Sequence, residues 1–213
     1  MAYFTCDVAS VSLEIMKILT IGAHGTAGHA ITEHLASRGH DIITVGRTSG
    51  DIRADVSDLK QLEAMWQQAG TVDAVVYAAG DVRYAEFQEL SSSDFESAWQ
   101  QKALAQINLV RTGLEHLSPN GSFTLMSGIP SRDPVVSGVA AATVNGAVDA
   151  FVKAAAIEIA PVRINAVSPS VFTESLDTFG DFFPGFIPVD LADVARGFQK
   201  GVEGASTGET IVP

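Results

Sequence analysis

The sequence predicts a single α/β domain built on a doubly wound parallel sheet of about seven strands, with helices on both faces. Short apolar and β-branched runs alternate with stretches of helical spacing along most of the chain. The strand-like runs are continuously apolar, which is typical of parallel strands covered on both faces. A chain of 213 residues, 46% of them hydrophobic, is long enough for one substantial core and short for two.

The local pattern of each segment predicts its element. Strands are predicted at the apolar runs KILTIG, DIITVG, VDAVVYAAG, GSFTLMSG and VRINAVS, and helices over 26–38, 58–69, 91–116 and 136–160. Residues 1–15 precede the first strand, and we expect them to form a loose extension without chemistry, so that the domain comprises residues 16–213. Near 171–189, aromatic residues, glycines and prolines break the alternation, which predicts a mobile loop over a site.

Composition and charge argue against several classes of partner. The formal charge of −12, with 13 lysines and arginines, disfavours nucleic acid and anionic membrane surfaces. No uninterrupted apolar run approaches the roughly 20 residues of a membrane span, so no membrane partner is expected. The first residues lack a basic segment and include Asp7 and Glu14, which argues against a secretion signal. The single cysteine, Cys6, can form neither an internal disulfide nor a metal cluster, so we expect a cytoplasmic protein without a metal.

The first predicted strand runs into a glycine-rich motif, IGAHGTAGHAI. Gly22, Gly25 and Gly28 follow the strand and open a helix, where backbone N–H groups, including that of Thr26, can hold a pyrophosphate. The alternative is a tight turn whose glycines serve packing alone. His24 lies within this loop and either contacts a phosphate or faces solvent. The motif in this context predicts a dinucleotide-binding Rossmann fold.

The end of the second predicted strand bears on which nucleotide is bound. Proteins that bind NAD(H) usually place Asp or Glu here, about 20 residues beyond the glycines, to hold the ribose 2′-OH. This chain has Arg47, Thr48 and Ser49 instead, and a guanidinium with two hydroxyls suits a 2′-phosphate. The sequence therefore predicts NADP(H) in preference to NAD(H), unless Arg47 is only a surface residue in a turn.

Four motifs in order resemble the short-chain dehydrogenase/reductase family over nearly all of residues 17–213. They are the glycine loop, ADV ending at Val56, AAG ending at Gly80, and AIEIAPVRINAVSPS from Ala156 to Ser170. The glycine spacing is that of the extended and atypical branches, whereas the later motifs resemble the classical branch, so the subfamily stays open. The resemblance implies an oxidoreductase and implicates in cofactor binding Asp55, Val56, Ala78, Ala79, Gly80 and Pro169.

The residues that carry catalysis in classical members are replaced at every matching position. Those members use a Tyr-x-x-x-Lys pair on the helix after the fifth strand, a serine ending that strand and an asparagine on the preceding helix. The resemblance places at these positions, in that order, Ala141, Asn145, Gly128 and Lys102. No shift in register supplies a tyrosine on this helix, because the chain has only Tyr3, Tyr77 and Tyr84.

Three functions remain open at this stage. The first is an oxidoreductase with a relocated proton donor that acts on a small carbonyl-type substrate, since hydride transfer needs mainly a positioned nicotinamide and an acceptor. The candidate catalytic residues are Tyr84, Lys102 and Ser127, which precedes the serine position by one residue. Tyr84 and Lys102 each have an alternative, because Tyr84 could be a pocket wall and Lys102 a buried structural cation or a helix-surface residue. Asn145 could keep a hydrogen bond to the cofactor ribose.

The second function is a non-enzymatic NADP(H)-binding redox sensor, and the third is a structural subunit beside an active paralogue. Helices 91–116 and 136–160 form the dimer contact in relatives, and the second is rich in small residues that allow close approach. A homodimer or homotetramer is expected in any case.

The aromatics of 171–189 suggest an apolar or planar ligand, or a lid that packs on its own core. Arg132 and Asp133 could orient a polar substrate or cap their loop.

Overall fold

The computed structural model describes residues 14–213, and in this range seven parallel strands form one sheet in the order β3-β2-β1-β4-β5-β6-β7. The strands are β1 Lys17–Ile21, β2 Asp41–Gly46, β3 Ile52–Arg53, β4 Val72–Tyr77, β5 Leu117–Met126, β6 Arg163–Val167 and β7 Thr210–Ile211. The predicted doubly wound sheet is confirmed. Strands β3 and β7 were not among the predicted runs, because two-residue edge strands carry no periodic signal. Most of the predicted loose extension, 1–15, lies outside the described residues.

The helices follow the predicted positions, with one break and two additions. They are α1 Thr26–Ser37, α2 Leu59–Ala69, α3 Ser92–Ala98, α4 Ala105–Gly113, α5 Val139–Glu158, α6 Leu176–Phe179 and α7 Leu191–Glu203. The predicted helix 91–116 is interrupted by a π-type turn, Trp99–Leu104, that joins α3 to α4. Helix α7 was not among the predicted helices, and α6 is a short helix within the predicted irregular loop.

Two apolar layers cover the two faces of the sheet. Helices α2, α4 and α5 pack on one face, where Trp66, Leu109 and Val152 are buried against strand residues such as Phe123. Helices α1 and α7 pack on the other. The strand order reverses between β1 and β4, because the chain proceeds outward to β3 and then returns to the other side of β1. In such sheets a crevice opens at this point, beyond the carboxyl ends of the strands.

Helix α5 is, among the residues described, the one helix whose length and composition would suffice for a membrane span. The sequence of this helix contains no long uninterrupted apolar run, because a glycine and a few polar residues lie within it. Its length and composition were therefore not recognised as sufficient for a membrane span. Its side chains Val148, Val152 and Ala155 are buried in the core against the sheet. We therefore interpret α5 as a core helix of the doubly wound fold.

Candidate functional site

A cleft of about 900 Å³ lies at the carboxyl ends of β1, β2, β4 and β5. It brings together residues from every predicted cofactor motif. The predicted residues on its wall are Gly22, His24, Gly25, Thr26, Arg47, Thr48, Ser49, Asp55, Val56, Ala78, Ala79, Gly80 and Pro169. Gly28 and Asn145, also predicted to bind the cofactor, do not line it. Two candidate catalytic residues, Lys102 and Ser127, do.

The three glycines of the first motif have different physical roles. Gly22 adopts a φ of 79°, and a Cβ there would lie 2.8 Å from the carbonyl oxygen of Ala78 at the end of β4. A Cβ on Gly28 would lie 1.9 Å from the carbonyl oxygen of Gly22, so Gly28 allows α1 to pack on the loop. Packing alone therefore explains Gly28. Gly25, by contrast, is exposed on the wall of the cleft.

Helix α1 begins beside the cleft with its first N–H groups uncapped. No side chain caps the helix at Gly25, and its first turn contains no acidic residue. Thr26 and Ala27, the first residues of the helix, line the cleft. An uncapped helix N-terminus carries unpaired N–H donors and a partial positive charge, which together favour an anion such as a phosphate.

The end of β2 forms the rim of the cleft and carries no free carboxylate. Arg47, Thr48 and Ser49 are exposed there. The ring of His24 lies over Gly46, since a Cβ on Gly46 would be 3.8 Å from His24 Cδ2. The nearby Asp51 is turned back onto the strand, where its Oδ2 accepts from Thr44 N at 2.9 Å and from Thr44 Oγ1 at 2.7 Å. These hydrogen bonds from Thr44 hold the pKa of Asp51 below its usual value.

Asp55 and Val56 lie across the cleft from the glycine loop. The Asp55 carboxylate accepts from Ser57 Oγ at 2.6 Å and from Ser57 N at 3.0 Å. Those bonds lower the pKa of Asp55, so the side chain is an ionised acceptor at neutral pH. Val56 is buried and presents an apolar surface to the same wall.

Lys102 enters the cleft from the π-type turn between α3 and α4. Turns of this kind are frequent at functional sites, because they insert an extra residue and redirect a side chain. Gly80, at the end of the AAG motif, packs beside it, with a φ of 105° and a Cβ position 3.5 Å from Lys102 Cβ. Burial lowers the pKa of Lys102 to about 8, and the charges of Asp81 and Asp149 only partly oppose this shift.

Ser127 follows β5 directly and lines the same cleft. Its hydroxyl is buried, and within the described part of the chain it has no hydrogen-bond partner. Asn145 Oδ1, on α5, is likewise buried without a partner there. A buried polar atom without a partner is costly, so each is suited to a hydrogen bond with a bound molecule or a water.

Tyr84 lies outside the cleft and packs under the segment that was predicted as an irregular loop. Its ring centroid is 5.2 Å from that of Phe182 and 6.1 Å from those of Phe179 and Phe183. Burial raises the pKa of Tyr84 to about 12. Among the aromatics of this segment, only Phe172 lines the cleft. The geometry thus favours a lid that packs on its own core, with Tyr84 as a part of that core and not of the cleft wall.

Arg132 lies in the loop that follows β5 and bonds to Ser168. Its Nη2 donates to the carbonyl oxygen of Ser168 at 3.0 Å, and its Nη1 contacts the Ser168 hydroxyl. The contact joins this loop to the end of β6, next to Pro169. Asp133 is exposed. Within residues 14–213, no group of three or more His, Cys, Asp or Glu side chains is arranged to hold a metal ion.

Two buried residues near the site were not singled out from the sequence. Gln106 and Tyr77 are 0% and 1% exposed, and both bond to the π-type turn that carries Lys102. The sequence offered a signal for Gln106, because it is a polar residue among the otherwise apolar buried positions of α4. Nothing in the sequence marks Tyr77 as other than an apolar strand residue.

Comparisons with known proteins agree with this geometry. Residues 19–187 match a family model described as enoyl-(acyl carrier protein) reductase. Human L-xylulose reductase is 25% identical over 178 residues, which are 75% of this chain and 73% of that protein. A short-chain dehydrogenase/reductase from Acremonium sp is 30% identical over 101 residues, 46% of this chain and 38% of that protein. The match thus spans well under two thirds of the length of the Acremonium protein.

Solved structures show the same fold along almost the whole chain. A protein from Listeria innocua is 46% identical, with a TM-score of 0.90, over 92% of this chain and 98% of that one. A small-chain dehydrogenase solved in complex with NADPH is 22% identical, with a TM-score of 0.83, over 94% of this chain and 97% of that one. On the family model, the relatives and the seven-stranded parallel sheet together, this chain belongs to the short-chain dehydrogenase/reductase family.

Proposed function

We propose that this protein is an NADP(H)-dependent oxidoreductase that reduces a small carbonyl-type substrate, with Lys102 as the proton donor in place of the tyrosine of classical members. One observation carries the proposal: Lys102 lines the glycine-loop cleft together with Ser127, whose buried hydroxyl has no partner within residues 14–213. The family supports hydride chemistry, and the NADPH complex of a structural neighbour supports the cofactor.

The hydrogen-bond donors and charged groups on the wall of the cleft fit a phosphorylated dinucleotide. The uncapped start of α1, at Gly25 and Thr26, would hold the pyrophosphate. Arg47, with Thr48, Ser49 and His24 on the same wall, would hold a 2′-phosphate, and the hydrogen bonds of Asp51 to Thr44 keep that carboxylate on the strand. Asp55 and Val56 would border the adenine. When bound, the reduced nicotinamide supplies a hydride.

The protein supplies the proton and the orientation of the substrate. A pKa of about 8 leaves most of Lys102 protonated at neutral pH while keeping proton loss easy, as a general acid requires. The Ser127 hydroxyl would donate to the substrate oxygen, and both donors would stabilise negative charge that develops there. Tyr84 is a poor acid by comparison, because its pKa is about 12 and it lies under the lid.

The proposal is tested by NADPH oxidation with a panel of aldehydes, ketones, quinones and imines. Lys102→Met should lower kcat by about 10²- to 10⁴-fold, the usual contribution of a general acid, with little change in the Kd of NADPH. Lys153→Met removes an exposed lysine of α5 and should leave turnover unchanged. Tyr84→Phe should leave kcat within about threefold, because no proton passes through that hydroxyl. Wild-type turnover in Lys102→Met would overturn the assignment.

A non-catalytic NADP(H)-binding sensor is the second candidate. The presence of Ala141 and Asn145 on α5, beside an otherwise complete set of cofactor residues, favours it. Tight NADPH binding together with no turnover across the whole panel would support this candidate against the first.

We also propose that the protein forms a homodimer or homotetramer through the helical regions 91–116 and 136–160. Apolar side chains exposed in these regions include Trp99, Leu114 and Ile157, the last of them 83% exposed. Surfaces of this kind often mark protein–protein contacts. Light scattering after size exclusion should give a multiple of the chain mass, and a monomer at micromolar concentration would contradict the proposal. The cytoplasm remains our predicted compartment.

A further inference from the structure

The π-type turn that carries Lys102 is held by two buried side chains. In an α-helix each carbonyl accepts from the N–H four residues later. Here the N–H of Ala105 donates to Gln100, five residues earlier, and not to the carbonyl of Gln101, its partner in a regular helix. The carbonyl of Gln101 accepts from the Tyr77 hydroxyl at 3.1 Å, and that of Lys102 accepts from Gln106 Nε2 at 2.9 Å.

The same amide of Gln106 also holds the end of β5. Its Oε1 accepts from the N–H of Met126 at 3.0 Å, and its Nε2 donates to the carbonyl of Met126 at 3.1 Å. Strand β4 ends at Tyr77, so Met126 has no neighbouring strand on that side. One side chain thus takes the place of a strand and joins the residue before Ser127 to the backbone of Lys102.

We propose that Gln106 and Tyr77 are positioning residues, whose hydrogen bonds to the π-type turn hold the Lys102 side chain in the cleft beside the end of β5. This inference builds on the proposed function only in calling Lys102 the proton donor. The bonds themselves concern the conformation of the turn and can be tested without a substrate.

Loss of these hydrogen bonds should change the conformation of the turn, and not only lower the stability of the fold. Without its side-chain donors the turn loses its support, and the Gln101 carbonyl gains by accepting from the backbone N–H of Ala105, as in a regular helix. Removing the extra residue of the wide turn rotates the preceding segment by roughly 100° about the helix axis, the angle of one residue. Lys102 would then leave the space it shares with Asp81 and Asp149 and reach solvent.

The experiment is an NMR titration of isotopically labelled lysine side chains, with Lys102 assigned from Lys102→Met. In the wild type, Lys102 should titrate near 8. Gln106→Met, which keeps the volume but no hydrogen bond, should raise that value by about one unit or more toward an exposed lysine. Tyr77→Phe, which removes only the bond to Gln101, should shift it in the same direction by less.

Gln199→Met is the matched control, since it removes a half-buried amide bonded to His34 and Glu203, away from the cleft. It should leave the titration of Lys102 unchanged. A folded Gln106→Met protein in which Lys102 titrates as in the wild type would overturn the proposal. If Gln106→Met does not fold, Tyr77→Phe decides, and an unchanged titration there would overturn it as well. Because the readout is the lysine resonance, absence of turnover contradicts only the proposed function.

Discussion

The side chain of Asn145 fills the space that a side chain at position 128 would need. A Cβ on Gly128 would lie 2.9 Å from Asn145 Nδ2, closer than such atoms approach in proteins. By the resemblance to classical members, we expect these two positions to be those of the catalytic serine and lysine. A side chain at position 128, a serine included, therefore requires the Asn145 side chain to move.

This contact predicts a strong energetic coupling between the two positions. Gly128→Ala should lower the free energy of unfolding by about 1–3 kcal/mol, the usual cost of overpacking. In an Asn145→Ala background the cost should fall by about 1–2 kcal/mol, measured by urea unfolding in a double-mutant cycle. Gly146→Ala is the control, because its Cβ would meet nothing within 4 Å. Additive effects of the first pair would show that the space is not shared.

The β2 rim predicts a change of cofactor preference on charge reversal. Arg47→Glu should change the ratio of the Kd values of NADPH and NADH by about tenfold to a hundredfold in favour of NADH, because a carboxylate repels a 2′-phosphate and accepts from a 2′-OH. Arg53→Glu makes the same charge change at an exposed residue that does not line the cleft. Equal ratios in the two variants would contradict the role of Arg47.

Burial of Lys102 predicts a pH-dependent cost to stability. Its pKa falls from 10.5 to about 8 on folding, so between these values the unfolded chain binds more protons and stability rises with pH. Below about 8 both states are protonated and the folded protein bears the full cost of burying the ammonium. Lys102→Met should therefore raise the free energy of unfolding near neutral pH by about 1–3 kcal/mol.

The corresponding measurement is urea unfolding at a series of pH values, with Lys153→Met as control. The gain from Lys102→Met should shrink as the pH rises from about 8 toward 10.5. Parallel curves for Lys102→Met and the wild type would show that Lys102 is solvated. A variant Lys102→Met that is more stable but less active than the wild type would show the pattern expected for loss of a functional residue.

In the glycine loop, alanine substitutions at two glycines should distinguish a role in helix packing from a role in cofactor binding. Gly28→Ala should destabilise the protein by more than about 2 kcal/mol despite the higher helix propensity of alanine, because its Cβ would lie 1.9 Å from a backbone oxygen. Gly25→Ala meets only one atom, at 3.4 Å, and should change stability by less than about 1 kcal/mol. It should raise the Kd of NADPH by about tenfold, because Gly25 faces the cleft. Similar effects of both variants on stability would contradict the distinction.

The sequence alone predicted the doubly wound sheet and most of the cleft. The first, second, fourth, fifth and sixth strands are apolar and covered on both faces, so their runs are visible without any tertiary contact. The cofactor motifs follow these strands directly, and the carboxyl ends of parallel strands meet at one edge of the sheet. Gly25, Asp55 and Pro169 are distant in the chain and lie on one cleft, because each follows a parallel strand that the sequence predicts or its neighbour at the same edge.

Other features depended on contacts between distant segments. The π-type turn accepts hydrogen bonds from Tyr77 and Gln106, and no local pattern in the sequence predicts a hydrogen bond across 24 residues. The packing of Tyr84 under the lid, outside the cleft, depends on contacts with aromatic residues about 100 positions later in the chain. Likewise, Gly28 and Gly25 share a motif, and only the position of α1 separates the glycine that packs from the glycine that faces the cleft.

The sequence by itself determined the fold, the location of the cleft and the absence of a tyrosine at the classical position on α5, because periodicity, motif spacing and composition are properties of the chain. The tertiary structure decided which polar groups are buried without partners, how far the pKa of Lys102 falls, and why Gly128 and Asn145 occur together. These depend on desolvation and on shared volume, which arise only when segments distant in sequence are packed against one another.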